Sequence, residues 1–188
     1  TYAGFINKNI VALLQKNNKN SIGLSGADGN LIVSNKRAAN PIDFGFVGDI
    51  TKESVNTSLL KGLLDLQLTP VICAITHDKN GQLLNTNADS IANAIATSLS
   101  SEYEVELIYC FEKNGVLMNA EDDHSVIKNL DFELFQDLKN KEIINMGMLP
   151  KLENCFQALN NGVHEIGIIN ASNIVNYLNN NSNDGTRI

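Results

Sequence analysis

The chain has 188 residues, of which 43% are hydrophobic and 19% are charged, and its formal net charge is −7. This length suits one compact domain or two small ones, and the hydrophobic fraction is typical of a globular protein. The negative charge disfavours non-specific binding to nucleic acid, which needs many Lys and Arg side chains at the phosphates. An anionic ligand stays compatible with it, because a local site can be positive on an acidic protein.

The sequence shows no run of about 20 apolar residues, which a membrane-spanning helix requires. Its first residues do not show the basic region and apolar run of a signal peptide. We therefore expect a cytoplasmic protein with no membrane partner. The cysteines Cys73, Cys110 and Cys155 lie in separate apolar stretches without a Cys-x-x-Cys motif, and the three histidines are far apart. We expect buried free thiols and no metal site.

Hydrophobic spacing predicts that helices and strands alternate along the chain. In chain order the predicted elements are helix 2–17, strand 21–24, strand 31–33, loop 36–42, strand 44–50, helix 56–67, strand 70–75, turn 76–81, helix 89–99, strand 105–110, loop 114–129, helices 131–138 and 151–160, strand 165–169 and helix 171–178. Such an alternation indicates an α/β fold with a largely parallel sheet and right-handed crossovers.

Three of these segments carry further expectations. The apolar run 70–75 is typical of a strand that is buried on both faces. Asn80 and Gly81 form a strong signal for a hairpin turn. Residues 114–129 are the longest irregular stretch, so we expect a surface loop there, of the kind that often carries function.

A polar cluster, Asn85-Thr86-Asn87-Ala88-Asp89, joins a strand to the start of a helix. Asp89 can cap that helix, which is a purely structural interpretation. The carboxyl ends of strands are also where α/β sheets bind ligands, and the two Asn side chains offer amide donors and acceptors there. Both interpretations stay open.

A second cluster, residues 145–151, precedes another helix and ends in Lys151. Pro150 is ordinary near a helix start. A cation is less common at this position, because helix N-termini favour negative charge. Lys151, expected as an exposed lysine of the first turn, therefore indicates a site for a bound phosphate, with an ordinary loop as the alternative.

The chain resembles the N-acetylglutamate kinases of the amino-acid kinase superfamily, in segments that occur in order along its whole length. These segments are 81–89 (GQLLNTNAD), 147–151 (GMLPK) and 185–188 (GTRI), supported by 7–11 (NKNIV), 23–28 (GLSGAD), 45–49 (GFVGD) and 114–117 (NGVL). The resemblance implies a three-layer αβα sandwich with a mainly parallel central sheet. It implies ATP-dependent phosphorylation of the side-chain carboxylate of N-acetyl- or N-succinyl-L-glutamate, in arginine biosynthesis. Residues 1–100 would belong to the acylglutamate-binding lobe and residues 101–188 would form the ATP-binding lobe.

Matched by position, the resemblance implies that Asn85 holds the substrate, with Asn87 beside it, and that Asp89 orients the catalytic lysines. Lys151 would stabilise the transferred phosphoryl group. The implied ATP-binding residues are Glu112, Lys113, Asn114, Gly115, Val116, Leu117, Ile143, Ile144, Asn145 and Met148; the family usually has Asp at the position of Glu112. Mg²⁺ would be held by the phosphates of ATP. The resemblance also implies a homodimer or higher oligomer, and the apolar stripe of helix 2–17 could contribute to its interface or belong to the core.

The chain departs from the family in one respect. The family's Lys-x-Gly-Gly, His-Gly-Gly and Gly-x-Arg segments do not occur in it, so we expect it to lack the family's N-terminal portion and to be no competent kinase alone. Alternatives are another kinase of the superfamily, acting on aspartate or uridylate, and a non-catalytic fragment that binds a nucleotide or a partner protein. The choice between acetyl and succinyl, and feedback by arginine, stay open.

Overall fold

The computed structural model describes residues 1–144, 147–179 and 184–188, and it divides into two compact units, Thr1–Ser98 and Leu99–Ile188. Both units combine helices with short strands.

The first unit contains short strands that pair in twos. Its strands are β1 (Ser21–Leu24), β2 (Asn35–Lys36), β3 (Gly48–Asp49), β4 (Thr69–Ile72), β5 (Ile75–His77) and β6 (Leu83–Asn85). β1 and β4 are parallel, whereas β2–β3 and β5–β6 are antiparallel. Its helices are α1 (Asn7–Lys16), preceded by a π-helical turn at Tyr2–Ile6, α2 (Thr57–Asp65) and α3 (Ala88–Leu99), whose last residue belongs to the second unit.

The second unit contains a three-stranded sheet in the order β7-β8-β9. Its elements are β7 (Glu106–Phe111), α4 (Phe132–Asn140), α5 (Leu149–Asn160), β8 (Glu165–Asn170), α6 (Ile174–Leu178) and β9 (Thr186–Arg187). β7 and β8 are parallel, as strands joined through helices commonly are, and β9 is antiparallel to β8. The central strand is the core of this sheet, since Ile166, Ile168 and Ile169 are fully buried.

Three strand predictions for the first unit are wrong in extent. The apolar run 70–75 is divided between β4 and β5, because the Ile75 N–H turns back to the Cys73 carbonyl (2.9 Å), and β4 is only half-buried. Segment 31–33 makes isolated bridges, since the N–H groups of Ile32 and Val33 bond to different segments. In segment 44–50 only Gly48 and Asp49, which form β3, belong to a strand.

The strand predicted at 44–50 is short because Gly45 interrupts it. Gly45 has a φ of +72°, which glycine adopts without steric cost, and its N–H donates to Asp43 Oδ1 (2.8 Å). An extended ladder cannot pass through such a turn.

The apolar stripe of the first helix does not lie in the core of the first unit. Phe5, Ile6, Ile10 and Leu13 are exposed, Phe5 to 71%. The face that packs inward carries Asn7, whose Nδ2 donates to the Val71 carbonyl of β4 (2.8 Å). The core interpretation of the stripe is therefore wrong.

Two of the three cysteines are buried as expected, Cys73 and Cys155, but Cys110 is exposed. Successive residues of a strand point to opposite faces. In β7 the buried face belongs to Tyr109 and leaves Cys110 on the other side. Within the described ranges, no three His, Cys, Asp or Glu side chains are grouped to hold a metal ion. None of the helices described there is long and apolar enough to cross a membrane.

Candidate functional site

The hairpin of β5 and β6 carries the first predicted cluster, and its turn is built as the sequence predicts. Gly81 has a φ of +94°, and Asp78 Oδ1 accepts the N–H groups of Asn80 (2.7 Å) and Gln82 (3.1 Å). The hydrogen bonds from these backbone N–H groups hold the pKa of Asp78 below its usual value, and the bond from Asn80 has the largest effect. The predicted turn at Asn80-Gly81 is confirmed, and it fixes where β6 begins.

Asn85 is the last residue of β6, and its side chain is exposed. Its backbone N–H donates to the Phe46 carbonyl (2.8 Å), which ties the end of the hairpin to the segment before β3. The amide of Asn85 is thus presented to solvent from an anchored backbone, as a ligand-binding side chain requires.

The cap of α3 is Asn87 rather than Asp89. Helix α3 begins at Ala88, and Asn87 Oδ1 accepts the N–H of Ser90 (3.0 Å), the bond that an N-cap residue makes. The predicted capping role of Asp89 is wrong because the helix begins one residue earlier than the periodicity indicated. Asp89 is half-buried in the first turn, where the helix dipole favours a carboxylate.

A chain of buried hydroxyl groups lies beneath this cluster. Thr76 Oγ1 lies 2.6 Å from Ser34 Oγ and 2.8 Å from Thr86 Oγ1, and Thr86 also donates to the Gly48 carbonyl (3.2 Å). The three residues are exposed by 3% or less. Buried hydroxyls are stable only when they are hydrogen-bonded. The sequence did not predict these hydrogen bonds between hydroxyl groups, although Thr86 belongs to the polar cluster 85–89 that it indicated as a candidate site.

In the second unit a cavity of about 480 Å³ gathers most of the residues predicted to bind ATP. The predicted residues in its wall are Lys113, Gly115, Val116, Leu117, Ile143, Ile144, Met148 and Lys151. The wall is predominantly apolar, and the volume is within the range of small-molecule sites. It also includes Ala120, Glu121 and Gly147, which the sequence did not single out for ATP.

Three of the predicted ATP-binding residues are not placed in this wall. Asn145 lies outside the described residues. Asn114 instead donates through Nδ2 to the Asp123 carbonyl (3.3 Å), and the Glu112 carbonyl accepts from Asn170 Nδ2 (2.6 Å). Both bonds join neighbouring segments of the second unit.

The glycine in Asn114-Gly115-Val116-Leu117 is required by the close approach of β9. A Cβ at Gly115 would lie 2.7 Å from Thr186 Oγ1. That buried hydroxyl accepts the Val116 N–H (2.8 Å). The cavity wall is therefore fastened to the sheet at this point.

The loop predicted at 114–129 is ordered by its own hydrogen bonds. The Met118 N–H donates to the Ser125 carbonyl (2.8 Å), and the Ile127 N–H donates to the Val116 carbonyl (2.8 Å). Lys113 Nζ meets Asp123 Oδ1 at 2.7 Å on the surface, and this bond holds the pKa of Lys113 above its usual value. An exposed pair of this kind contributes little to stability. The loop thus gives the cavity a defined wall.

Lys151 is the third residue of α5 and is half-buried, so the prediction of an exposed lysine is wrong. Its Nζ lies 3.5 Å from the centroid of the Phe111 ring and 5.8 Å from that of Tyr109. The aromatic face of β7 therefore covers part of the side chain, while Lys151 also lines the cavity. A cation beside an apolar cavity of this size suits a nucleotide, whose base is apolar and whose phosphates are anionic.

The predicted residues thus form two groups. Asn85, Asn87 and Asp89 lie close together in sequence in the first unit, and Lys151 lies with the cavity residues in the second.

Known proteins resemble this chain in sequence and in structure. A sequence profile described as "Amino acid kinase family" matches residues 1–170. The chain is 47% identical over 188 residues to the acetylglutamate kinase of Cytophaga hutchinsonii, covering all of this chain and 70% of that protein. It is 48% identical over 187 residues to the acetylglutamate kinase of Bacteroides thetaiotaomicron, again covering 70% of it. A structure of N-acetylglutamate synthase from Neisseria gonorrhoeae, in complex with coenzyme A and N-acetyl-glutamate, superposes with a TM-score of 0.78 at 20% identity, over 96% of this chain and 40% of that one.

Proposed function

We infer the function from a premise that these findings supply: the chain belongs to the amino acid kinase family, among its acetylglutamate kinases, and has that family's fold. The protein that carries it transfers the γ-phosphoryl group of ATP to the side-chain carboxylate of N-acetyl-L-glutamate or N-succinyl-L-glutamate. The reaction belongs to arginine biosynthesis, and we place it in the cytoplasm. The observation that carries this proposal is Lys151 in the wall of an apolar cavity of nucleotide size.

The chemistry fits the residues that are present. A side-chain carboxylate with a pKa of about 4.3 is already ionised at neutral pH, so it attacks phosphorus without a general base. What the reaction needs is positioning and positive charge around the transferred group. Lys151 supplies a cation held at a defined place, and no His or Cys nucleophile is called for.

The second unit is the ATP-binding lobe in this proposal. Val116, Leu117, Ile144 and Met148 give its cavity the apolar surface that a purine base requires. ATP would bring Mg²⁺ on its phosphates, since Mg²⁺ prefers oxygen ligands and keeps much of its water. Glu121 is the carboxylate in the cavity wall that would approach the ion.

The first unit belongs to the acylglutamate-binding lobe in this proposal. Asn85 binds the substrate through its exposed amide, while Asn87 caps α3 and can offer only its Nδ2 to a ligand. Asp89 orients the ammonium groups of catalytic lysines. The two units together belong to an αβα sandwich, with a mainly parallel sheet between helices.

Self-association is the remaining part of this proposal. The exposed stripe Phe5, Ile6, Ile10 and Leu13 supports a homodimer or higher oligomer formed through this end of the first unit.

The proposal is tested by assaying the full-length protein with ATP and each of three acids, N-acetylglutamate, N-succinylglutamate and glutamate, with hydroxylamine to trap the acyl phosphate. We expect trapped product with one or both acylated acids and almost none with glutamate, because free glutamate leaves the polar groups of the acyl pocket unpaired. Equal rates with all three would overturn the assignment. Aspartate and uridylate are assayed in parallel by release of ADP, and turnover with one of them alone would indicate another kinase of the family. Nucleotide binding without any product would indicate a non-catalytic protein.

A further inference from the structure

The ammonium group of Lys151 is covered by two aromatic rings of β7. Tyr109 and Phe111 are two residues apart on one strand, so they share a face. Their rings are nearly parallel, 6.4 Å apart with an interplanar angle of 14°. Lys151 Nζ lies 3.5 Å from the centroid of Phe111, well inside the limit of about 6 Å for a cation–π interaction.

The position of Lys151 in α5 makes such a contact informative. A lysine in the first turn faces the positive end of the helix dipole, which repels its charge. Its flexible four-carbon stem can also adopt many rotamers, which scatter the ammonium group in the absence of a partner. A negative aromatic face next to Nζ opposes both effects, because it attracts the cation and restricts the side chain.

Phe111 contacts a lysine that lies in the cavity wall. Lys151 is one of the cavity-lining residues, whereas Phe111 is not one of those identified in the described part of the chain. Phe111 is half-buried at the end of β7, and its ring lies 3.5 Å from Lys151 Nζ. Its contact with Lys151 is therefore the route by which we expect it to influence a bound nucleotide.

We propose that Phe111 is a positioning residue, which holds the Lys151 ammonium group at the place where the phosphoryl group passes. This inference rests on the proposed function. A fixed cation costs no reorganisation at the moment of reaction and helps most in the transition state. Loss of the aromatic face therefore lowers kcat and leaves the KM for ATP nearly unchanged.

The experiment varies the charge on the ring face while keeping the shape of the ring. In the full-length protein, Phe111 is replaced by 4-fluoro-, 3,5-difluoro- and 3,4,5-trifluorophenylalanine, which progressively weaken a cation–π interaction. We expect kcat to fall stepwise to about one tenth with the trifluoro ring and with Phe111→Leu, and the KM for ATP to stay within about twofold. Phe111→Tyr should retain most of the activity.

Two results would overturn the inference. The first is an unchanged kcat across the fluorinated series, which would leave Phe111 with a packing role only. The second is an equal loss from trifluorophenylalanine at Phe132, the matched control, which is exposed and whose ring is tilted against Phe135 and edge-on to Phe156. The fluorinated rings keep the test decisive if Phe111→Leu does not fold.

A second measurement separates this inference from the proposed function. Lys151 in the ligand-free protein is labelled with an amine-acylating reagent, and the rate is followed by peptide mass spectrometry. Because the ring covers one side of Nζ, we expect labelling about threefold faster in Phe111→Leu and unchanged in Phe132→Leu. This result, together with no phosphorylation of any acylglutamate, would refute the proposed function alone; an unchanged rate in Phe111→Leu would refute the positioning role.

Discussion

Thr76, on β5, and Thr86, which directly follows β6 and Asn85, share a hydrogen bond of 2.8 Å between their hydroxyl groups. Thr76 is fully buried and also meets Ser34 Oγ at 2.6 Å. The chain of three hydroxyls joins β5, the residue after β6 and the segment before β2. It therefore fixes the backbone on which the proposed substrate-binding amide is carried.

Replacing Thr76 with Val keeps the shape of the side chain and removes the central hydroxyl. Ser34 and Thr86 each lose a partner in a buried place, so we expect the free energy of unfolding to fall by about 1–3 kcal/mol in urea denaturation. A double-mutant cycle with Ser34→Ala is the control. Because the two groups act in one network, the paired loss should be smaller than the sum of the single losses by at least about 0.5 kcal/mol. Additive losses would contradict a shared network.

The cap of α3 gives a prediction that separates two neighbouring polar residues. Asn87→Ala removes the acceptor for the Ser90 N–H and should lower the free energy of unfolding by about 1 kcal/mol. Asn87→Asp keeps an acceptor and should cost much less. Asp89→Ala, measured in the same denaturation series, should cost less than Asn87→Ala, because Asp89 is not the cap. A larger loss of unfolding free energy in Asp89→Ala than in Asn87→Ala would indicate that Asp89 caps α3, as the periodicity suggested.

Asn85 is predicted to act on the acid and not on the nucleotide. Asn85→Ala in the full-length protein should weaken acylglutamate binding by about 1–3 kcal/mol, the cost of leaving a polar partner unsatisfied. ATP binding should barely change, since the cavity assigned to ATP lies in the other unit. Calorimetry with each ligand separately measures both effects. Loss of ATP binding with intact acid binding would mean that the two sites are assigned the wrong way round.

Sequence patterns located the long elements of this fold well. Helix α3 lies within one residue of its predicted limits, and β7 and β8 do so too, because each has a sustained apolar pattern that only one structure satisfies. The short strands β2 and β3 were misjudged. Two-residue strands carry no periodicity, and their pairing depends on segments that lie far apart in the chain.

The candidate site was predictable in its residue types but not in its internal contacts. Lys151 and the glycine of 114–117 could be singled out from local sequence and resemblance. The contact between Lys151 and Phe111 could not, because 40 positions separate the two residues and no local pattern couples them. The bond of Thr76 to Ser34 spans 42 positions for the same reason. Long-range pairing of this kind is decided by packing.

The second unit contains a group whose ionisation should couple to folding. Tyr177 is 3% exposed, its hydroxyl donates to Glu165 Oε1 (3.1 Å), and the same oxygen accepts from Arg187 (2.8 Å). The pKa of Tyr177 is raised from its usual value of 10.0 to about 12. Burial is the largest cause, and the hydrogen bond to the Glu165 carboxylate is the next largest. The stabilising effect is fully present below pH 10. It is lost as the pH rises from 10 to 12, because the unfolded chain releases the proton first.

We therefore expect the free energy of unfolding of the protein to fall by about 1.4 kcal/mol between pH 9 and pH 11 relative to that of Tyr177→Phe. Urea denaturation of both proteins at each pH measures the difference, and titrations common to both cancel. Tyr103→Phe, at a more exposed tyrosine, serves as the control and should follow the unsubstituted protein. A parallel pH profile for Tyr177→Phe would contradict the raised pKa.

Lys151 gives the prediction closest to the chemistry. Charge moves toward the leaving ADP during phosphoryl transfer, so a fixed cation is worth more in the transition state than in the bound state. Lys151→Ala in the full-length protein should lower kcat by about 10²–10³ and change either KM much less. Lys151→Met keeps an apolar stem over Phe111 and should lose the same activity with less loss of stability, which separates charge from packing. Lys151→Arg should restore little, because a planar guanidinium cannot occupy the place of a compact ammonium group. An unchanged kcat in Lys151→Met, measured with saturating ATP and acylglutamate, would reduce Lys151 to a side chain that packs on an aromatic strand.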